Sequence, residues 1–241
     1  MVKKSEYKFV EWSRQISNDD FDVVCVSDLL SSIQKPRFSI VDVGGGNGRF
    51  AEACLAQCRN DVFCTIVDSS DLVVGEVPVS NNLSFEHSDF FHSNVAREND
   101  TYECVIFKTV LHHLIHSNEA QTLQSQKLAL ATARRIMKND GKLVIVENFY
   151  DGFFRNDLPG RIIFYITRLK FIANLVRAFG ANTAGEGVRF RSLESWKQLL
   201  SEEGFRVVSL QHGPGFKMRF LQKVLFLCRD RYQACLIAEP I

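Results

Sequence analysis

Apolar residues in this chain form short runs that alternate with segments of helical periodicity. The runs are rich in Val, Ile and Phe and end at Gly, Asp or Asn, which is typical of β-strands. Within the first 150 residues we predict strands over 38–43, 62–67, 83–87, 102–107 and 142–147. Helices are predicted between them over 49–58 and 117–137, the second stopped by Asn139-Asp140-Gly141.

The pattern changes on both sides of this alternation. Residues 7–34 have helical periodicity that ends before Pro36. After the fifth strand, residues 150–190 combine a helix rich in Phe, Ile and Arg with a Gly-rich stretch. Beyond this insertion, we predict a helix over 192–203 with Ser192 as its N-cap, and strands over 205–210 and 232–238. We expect the last strand to pair antiparallel at an edge of the sheet.

Strands that alternate with helices indicate βαβ units and a parallel sheet. We therefore predict an α/β fold with a doubly wound, mostly parallel sheet of seven strands, helices on both faces and a helical insertion after strand five. Residues 1–34 are predicted to form an N-terminal helical cap. The main domain then spans 35–241 and carries its insertion at 150–190.

Composition and charge narrow the classes of function. The net charge of +1 does not suggest nucleic-acid binding, and the seven cysteines include no CxxC pair that would suggest a zinc or redox site. We expect free cysteines and a cytoplasmic protein, because the N-terminus does not lead into the apolar run of a secretory signal. The 20 phenylalanines exceed what is usual, and some of them could line an apolar substrate pocket.

A glycine cluster follows the first predicted strand, over residues 41–49 (Val-Asp-Val-Gly-Gly-Gly-Asn-Gly-Arg). Glycines between a strand and a helix let the backbone approach a ligand closely. The dinucleotide pattern G-x-G-x-x-G fails here, since Arg49 or Ala51 occupies its last position, and the Lys-Ser/Thr of a P-loop is absent. The pattern that fits is an acidic residue followed by alternate glycines.

This segment resembles the first motif of the class I S-adenosylmethionine-dependent methyltransferases. Later segments resemble the same family in order: Asp68 ends the second strand, Ser88-Asp89-Phe90-Phe91 follows the third, and residues 134–143 precede the fifth. The resemblance implies S-adenosylmethionine as cofactor, with Asp68 accepting from the two ribose hydroxyls and Asp89 from the adenine amino group. Phe90 could contact the base or belong to the core. The implied cofactor contacts are Asp42, Gly44, Gly45, Gly46, Asn47, Gly48, Asp68, Ser69, Asp89, Phe90 and Lys108.

The candidate chemistry lies after the fourth strand. The run Lys108 to Leu114 is similar to the Lys-x-x-x-His-Asp-Trp segment of small-molecule O-methyltransferases, which implies that His112 is the catalytic base. Glu147, at the end of strand five, could hold its imidazole in the useful tautomer. His113 and Leu114 depart from the Asp and Trp of that pattern, so His112 could instead be a pocket wall or a core residue. A metal site at His112, His113 and His116 lacks a supporting Cys or Glu pattern, and no metal is predicted.

The sequence excludes some classes of methyl acceptor. The Asp/Asn-Pro-Pro-Tyr/Phe segment of nucleic-acid N-methylating relatives is absent, so we predict a small, apolar or aromatic acceptor, with O-methylation favoured. The apolar and basic segment 153–179 could pack on the sheet, wall the acceptor site or touch a membrane surface, which is the least favoured. We expect a monomer or a weak homodimer. Two alternatives stay open: a catalytically silent partner subunit, and an enzyme that uses the cofactor for cyclisation.

Overall fold

The computed structural model describes residues 16–78, 80–154, 156–169 and 187–241. Within these ranges the chain alternates strands and helices as the sequence predicts. The helices are α1 (Phe21–Ser32), α2 (Arg49–Gln57), α3 (Glu119–Ile136), α4 (Leu158–Arg168), α5 (Leu193–Glu202) and α6 (Phe220–Phe226). The strands are β1 (Arg37–Val43), β2 (Asp61–Asp68), β3 (Leu83–His87), β4 (Tyr102–Lys108), β5 (Met137–Gly152), β6 (Phe205–Gly215) and β7 (Cys228–Pro240).

The strands form one seven-stranded sheet in the order β3-β2-β1-β4-β5-β7-β6. Neighbouring strands from β3 to β5 pair in parallel, and β7 pairs antiparallel with both β5 and β6. The predicted α/β fold class is therefore confirmed. The predicted edge position of the last strand is wrong, because β7 lies inside the sheet and β6 forms the edge. The continuous burial of Ala234–Ala238 explains this, since an all-apolar run suits a strand covered on both faces.

Strand β5 is much longer than predicted. It begins at Met137, directly after α3, and continues to Gly152 instead of ending at Glu147. The register against β4 shifts between Tyr102 and Cys104, so the Asn139-Asp140-Gly141 stretch, predicted to stop the helix, lies within an irregular start of the strand. The added C-terminal residues pair with β7 as far as Cys228.

Helices cover both faces of the sheet, and strand residues alternate between two cores. On β4, Cys104 and Ile106 join a core with α1 and α2, whereas Val105 and Phe107 join a second core with α3 and α5. This period of two is the expected result of side chains pointing alternately to opposite faces.

The N-terminal helix is shorter than predicted within the described residues. Residues 16–20 form a turn in which the Asp20 carboxylate accepts from Ser17 N–H at 3.0 Å, and α1 begins at Phe21. The polar Ser-Asn-Asp-Asp sequence favours a turn because short polar side chains bond to nearby backbone. Residues 7–15 of this prediction lie outside the described residues, as do residues 170–186 of the predicted insertion.

The described part of the insertion is α4, and α6 was not predicted at all. All seven cysteines are free, as expected. No helix among the described residues is both long and apolar enough to cross a membrane.

Candidate active site

The glycine loop joins the C-terminal end of β1 to α2. Gly44, Gly46 and Gly48 have φ values of 70°, 58° and 75°, a region that disfavours side chains. The N–H of Gly44 donates to Val67 O at 2.7 Å, so the loop is tied to the end of β2. At Gly44 a Cβ would lie 2.5 Å from Val110 Cγ2. The loop therefore requires glycine for both conformation and space.

Asp68 lies at the end of β2 and faces this loop. Its Oδ2 accepts from Gly46 N–H at 2.8 Å and its Oδ1 accepts from Ser70 N–H at 2.8 Å. A carboxylate has about four lone-pair sites, so both oxygens can accept further hydrogen bonds. Ser69 lies beside it, and its carbonyl oxygen is 3.3 Å from His87 Nε2. The binding of a ribose diol by Asp68 stays a prediction.

Asp42 and Asn47 are buried at the loop. The Asp42 carboxylate is fully buried, and neither of its oxygens has a hydrogen-bond partner among the described residues. A Cβ on Gly45 would lie 2.5 Å from Asp42 Oδ2, so the carboxylate packs directly behind the loop. Burial, opposed by the charge of Lys108, raises the pKa of Asp42 to about 7. Asn47 Nδ2 is also buried without a partner in the described part of the chain.

The other predicted cofactor contacts take different positions. Asp89 is exposed after β3, where it accepts from Phe91 N–H at 2.9 Å. Phe90 belongs to the core and packs edge-on against Phe107, with ring centroids 5.8 Å apart. Lys108 is buried, its Nζ 3.0 Å from Asp22 of α1. The Lys108 ammonium group therefore lies on the face of the sheet that α1 covers, and it forms an ion pair with that helix.

His112, just after β4, and Glu147, within β5, form a buried pair. The Nδ1 atom of His112 is 2.7 Å from Glu147 Oε2, and the backbone N–H of His112 donates to Glu147 Oε1 at 3.4 Å. Both side chains are more than nine-tenths buried. A carboxylate on Nδ1 selects the tautomer with its proton there, which leaves Nε2 as the proton-accepting nitrogen.

Aromatic rings pack around this pair. Phe190 stacks on His112 at 4.6 Å and on Tyr150 at 4.7 Å, with interplanar angles of 28° in both cases. The His113 ring is 4.1 Å from that of His112. The sequence analysis did not predict that Phe190 belongs to the site. The only feature of the sequence that could have indicated it is the position of Phe190 between two arginines, shortly after a glycine.

Two arginines anchor the segment that carries Phe190. Arg189 is fully buried, and its guanidinium donates to Asp157 and, at 2.9 Å, to Glu119 Oε1. Arg191 donates to Gln126 Oε1 at 2.7 Å, and burial together with the charge of Arg189 lowers the pKa of Arg191 to about 10. Arginine suits such sites because its planar guanidinium group can donate hydrogen bonds to several acceptors at once.

The glycine loop and His112 follow the C-terminal ends of β1 and β4, Asp68 is the last residue of β2, and Glu147 lies in β5 just past its last pairing with β4. Ligands of open α/β sheets bind at this edge, where the strand order reverses between β1 and β4. Residues 27–210 match the family described as a methyltransferase domain. The chain belongs to this family.

Curated relatives of this methyltransferase domain include plant O-methyltransferases. The chain is 28% identical over 179 residues to isoflavone 7-O-methyltransferase of Glycyrrhiza echinata, covering 74% of this chain and 43% of the relative. It is 29% identical over 167 residues to probable O-methyltransferase 3 of Humulus lupulus, covering 69% and 39%. The chain thus spans less than half the length of these relatives.

Solved structures share the fold of this methyltransferase domain at low identity. A 1,6-didemethyltoxoflavin-N1-methyltransferase of Burkholderia thailandensis, with bound S-adenosylhomocysteine, superposes with a TM-score of 0.56 and 15% identity, covering 100% of this chain and 91% of that one. At such identity, the match establishes the Rossmann-like fold, and function must be argued from the site.

Proposed function

We propose that this protein transfers the methyl group of S-adenosylmethionine to a small, apolar or aromatic acceptor, with oxygen as the favoured atom. The observation that carries the proposal is the buried His112–Glu147 pair, 2.7 Å apart, at the same sheet edge as the glycine loop. A hydroxyl acceptor needs a base, and a carboxylate-oriented imidazole is the side chain best suited to that role near neutral pH.

The glycine loop and Asp68 fit the proposed cofactor. Gly44, Gly46 and Gly48 give the loop its positive-φ backbone without side chains, and Asp68 keeps acceptor capacity for the two ribose hydroxyls. Asn47 and Asp42 supply buried polar atoms at the same loop, and Asp89 stays the predicted partner of the adenine amino group. S-adenosylmethionine, when bound, supplies an already activated methyl group.

The residues of this chain then have to orient the acceptor and remove its proton. His112 Nε2 is the atom we assign as proton acceptor, while Glu147 holds Nδ1–H and stabilises the imidazolium that forms. Because both side chains are more than nine-tenths buried, little water competes for the hydrogen bond between them. His112 is thus the proposed catalytic residue, and Glu147 is its positioning residue.

The surroundings of His112 support an apolar acceptor. Phe190 stacks on His112 and Tyr150 stacks on Phe190, and Tyr150 belongs to an apolar cluster with Ile163 and Val188. The plant relatives include isoflavone, flavonoid and eugenol O-methyltransferases, whose named substrates are small and aromatic. A phenol is therefore the first acceptor class to test. A monomer or weak homodimer in the cytoplasm stays the expected setting.

The intact loop and Asp68 favour this proposal over a silent partner subunit. Cyclisation is the other alternative, since a [4+2]-cyclase, SpnF, shares the fold with a TM-score of 0.58 at 13% identity, covering 90% of this chain and 80% of that one. The two reactions differ in their products. Methyl transfer yields one S-adenosylhomocysteine for each methylated acceptor, whereas cyclisation leaves the cofactor unchanged.

Calorimetric titration with S-adenosylhomocysteine tests the cofactor assignment first. We expect saturable binding to the wild type, none to Asp68→Ala, and none of NAD to either protein. Incubation with S-adenosylmethionine and a panel of phenols then tests the reaction, with S-adenosylhomocysteine and methylated product measured together. Binding of NAD instead, or cofactor binding without methylated product from any phenol or carboxylic acid, would contradict the corresponding part of the proposal.

A further inference from the structure

Helix α6 directs most of its apolar side chains toward solvent. Phe220 and Leu221 are 79% and 74% exposed, and Val224 and Leu225 are more than half exposed. Of the five apolar residues in the helix, Phe226 alone packs against the core beneath it. A helix lying on a protein normally buries its apolar side, so this arrangement is the reverse of the usual one.

Two further phenylalanines extend this apolar surface. The N–H of Phe153 donates to Leu227 O at 3.2 Å, which places residues 153 and 154 beside the C-terminal end of α6. Phe154 is 84% exposed and Phe153 is more than half exposed. We call the surface formed by Phe153, Phe154, Phe220, Leu221, Val224 and Leu225 the α6 patch. Contiguous apolar surface of this kind marks an interaction site.

The segment that carries the α6 patch is strongly basic. Residues 216–231 contain five basic side chains and a single acidic one, Asp230, which pairs with Arg229 at 2.8 Å. Lys217 and Arg219 are exposed just before α6, and Lys223 lies within it. An apolar centre with a cationic border is complementary to a surface that is apolar inside and anionic outside.

We propose that the α6 patch docks on the surface of an anionic phospholipid bilayer. Phe and Leu side chains would enter the boundary between headgroups and acyl chains, and the basic side chains would contact the headgroup phosphates. A second copy of the chain fits less well, because pairing two patches would bring two basic borders together. Docking at the surface also agrees with the absence of a membrane-crossing helix among the described residues.

A series of packed side chains connects the α6 patch with the candidate active site. Phe226 and Met218, on the inner side of this region, pack against the cluster that contains Tyr150. Tyr150 stacks on Phe190, which in turn stacks on His112. Docking would therefore bring the proposed acceptor site close to apolar compounds dissolved in the membrane. The docking itself does not depend on methyl transfer.

Co-sedimentation with lipid vesicles tests the proposal. We expect the wild type to bind vesicles of phosphatidylcholine with phosphatidylglycerol, to bind pure phosphatidylcholine much less, and to be released by high salt. The double variant Phe220→Ser/Leu221→Ser should reduce the partition coefficient at least tenfold. Lys217→Gln and Arg219→Gln should each reduce it about fivefold on anionic vesicles alone.

Matched controls separate docking from general effects. Leu128→Ser removes a leucine that is 49% exposed on α3, and Lys197→Gln removes an exposed charge on α5. Both should leave vesicle binding unchanged, and all variants should keep the wild-type melting temperature and S-adenosylhomocysteine affinity. The proposal is overturned if the wild type does not bind anionic vesicles, or if Leu128→Ser weakens binding as much as the patch variant. It is also overturned if the patch variant abolishes a dimer seen by sedimentation while vesicle binding is absent.

Discussion

The backbone N–H of Arg189 donates to the carbonyl oxygen of His112 at 2.9 Å. The proposed base is therefore held from three sides: by Glu147 on its ring and backbone N–H, by Arg189 on its carbonyl, and by the ring of Phe190. The buried guanidinium of Arg189 fixes this segment to Asp157 and Glu119. The C-terminal end of the insertion, which carries Arg189 and Phe190, thus both supports and covers the candidate site.

Replacement of Arg189 should destabilise the protein strongly. Arg189→Leu removes the buried guanidinium from Asp157 and Glu119, although Asp157 keeps Arg191 at 3.6 Å. We expect a loss of about 2–4 kcal/mol in the free energy of unfolding, below the full buried-pair figure because both acids are partly exposed. Urea denaturation measures this loss. Arg161→Leu is the matched control, since Arg161 pairs with the same Glu119 at 3.0 Å but is half exposed. That variant should lose less than about 1 kcal/mol, and equal losses would contradict the anchoring role.

His112→Ala should lower kcat by about 10²–10⁴-fold with cofactor affinity retained, because general-base catalysis contributes on that scale. Added imidazole should restore part of the rate, since it can occupy the space of the missing ring. His113→Ala is the control, because that ring is adjacent but exposed. Full activity in His112→Ala would show that the residue is only a pocket wall.

Glu147→Gln should lower kcat by about tenfold to a hundredfold with little change in KM, because the amide no longer selects the Nδ1–H tautomer or stabilises the imidazolium. Steady-state kinetics at saturating cofactor measures the split between the two constants. Glu147→Asp, which keeps the charge, should recover part of kcat. A change confined to KM would place Glu147 in acceptor binding instead.

Gly44→Ala should destabilise the protein more than Gly75→Ala. Both glycines have positive φ, at 70° and 83°, so each substitution costs about 1–2 kcal/mol in backbone strain. At Gly75 no atom of the described residues lies within 4 Å of the new Cβ, whereas at Gly44 the new atom meets Val110 at 2.5 Å and adds about 1–3 kcal/mol. Thermal melts compare the two variants. Gly44→Ala should also lose S-adenosylhomocysteine binding, and retention of full affinity would argue against the loop as the cofactor site.

Asp42 should make stability fall between weakly acidic and neutral pH. Its pKa is raised from an ordinary 3.8 to about 7 by burial, with Lys108 lowering it and Asp68 raising it. The folded protein thus keeps a proton that the unfolded chain releases near pH 4, so the stabilisation is complete below that pH and is lost as pH rises through 7.

Asp42→Asn should remove this pH dependence. The wild type should lose on the order of 3 kcal/mol of unfolding free energy between pH 5 and pH 8 relative to the variant. Urea denaturation without cofactor at both pH values measures the difference. Asp19→Asn, at an exposed position, should behave like the wild type. Parallel pH curves for wild type and Asp42→Asn would show that Asp42 is ionised throughout.

Much of the fold was predictable from local pattern. The β-rich runs and their bounding turn residues located all seven strands, and the Ser192 N-cap is confirmed by its hydrogen bond from Ser195 N–H at 3.2 Å. The predicted edge position of β7 and the end of β5 at Glu147 were wrong. Both depend on which strand pairs with which, and residues distant in sequence decide that pairing.

The sequence by itself determined the strand–glycine loop–helix unit, the acidic residue that ends β2 and the position of His112 after β4. These follow from short-range spacing, because the type and order of nearby residues set turns and helix starts. The sequence also suggested Glu147 as the residue that orients His112. Only the tertiary structure decided that Arg189 and Phe190 hold the same histidine, and that Asp42 is buried without a hydrogen-bond partner among the described residues. Such contacts arise when distant segments pack together, and burial of charge at those contacts has no counterpart in the unfolded chain.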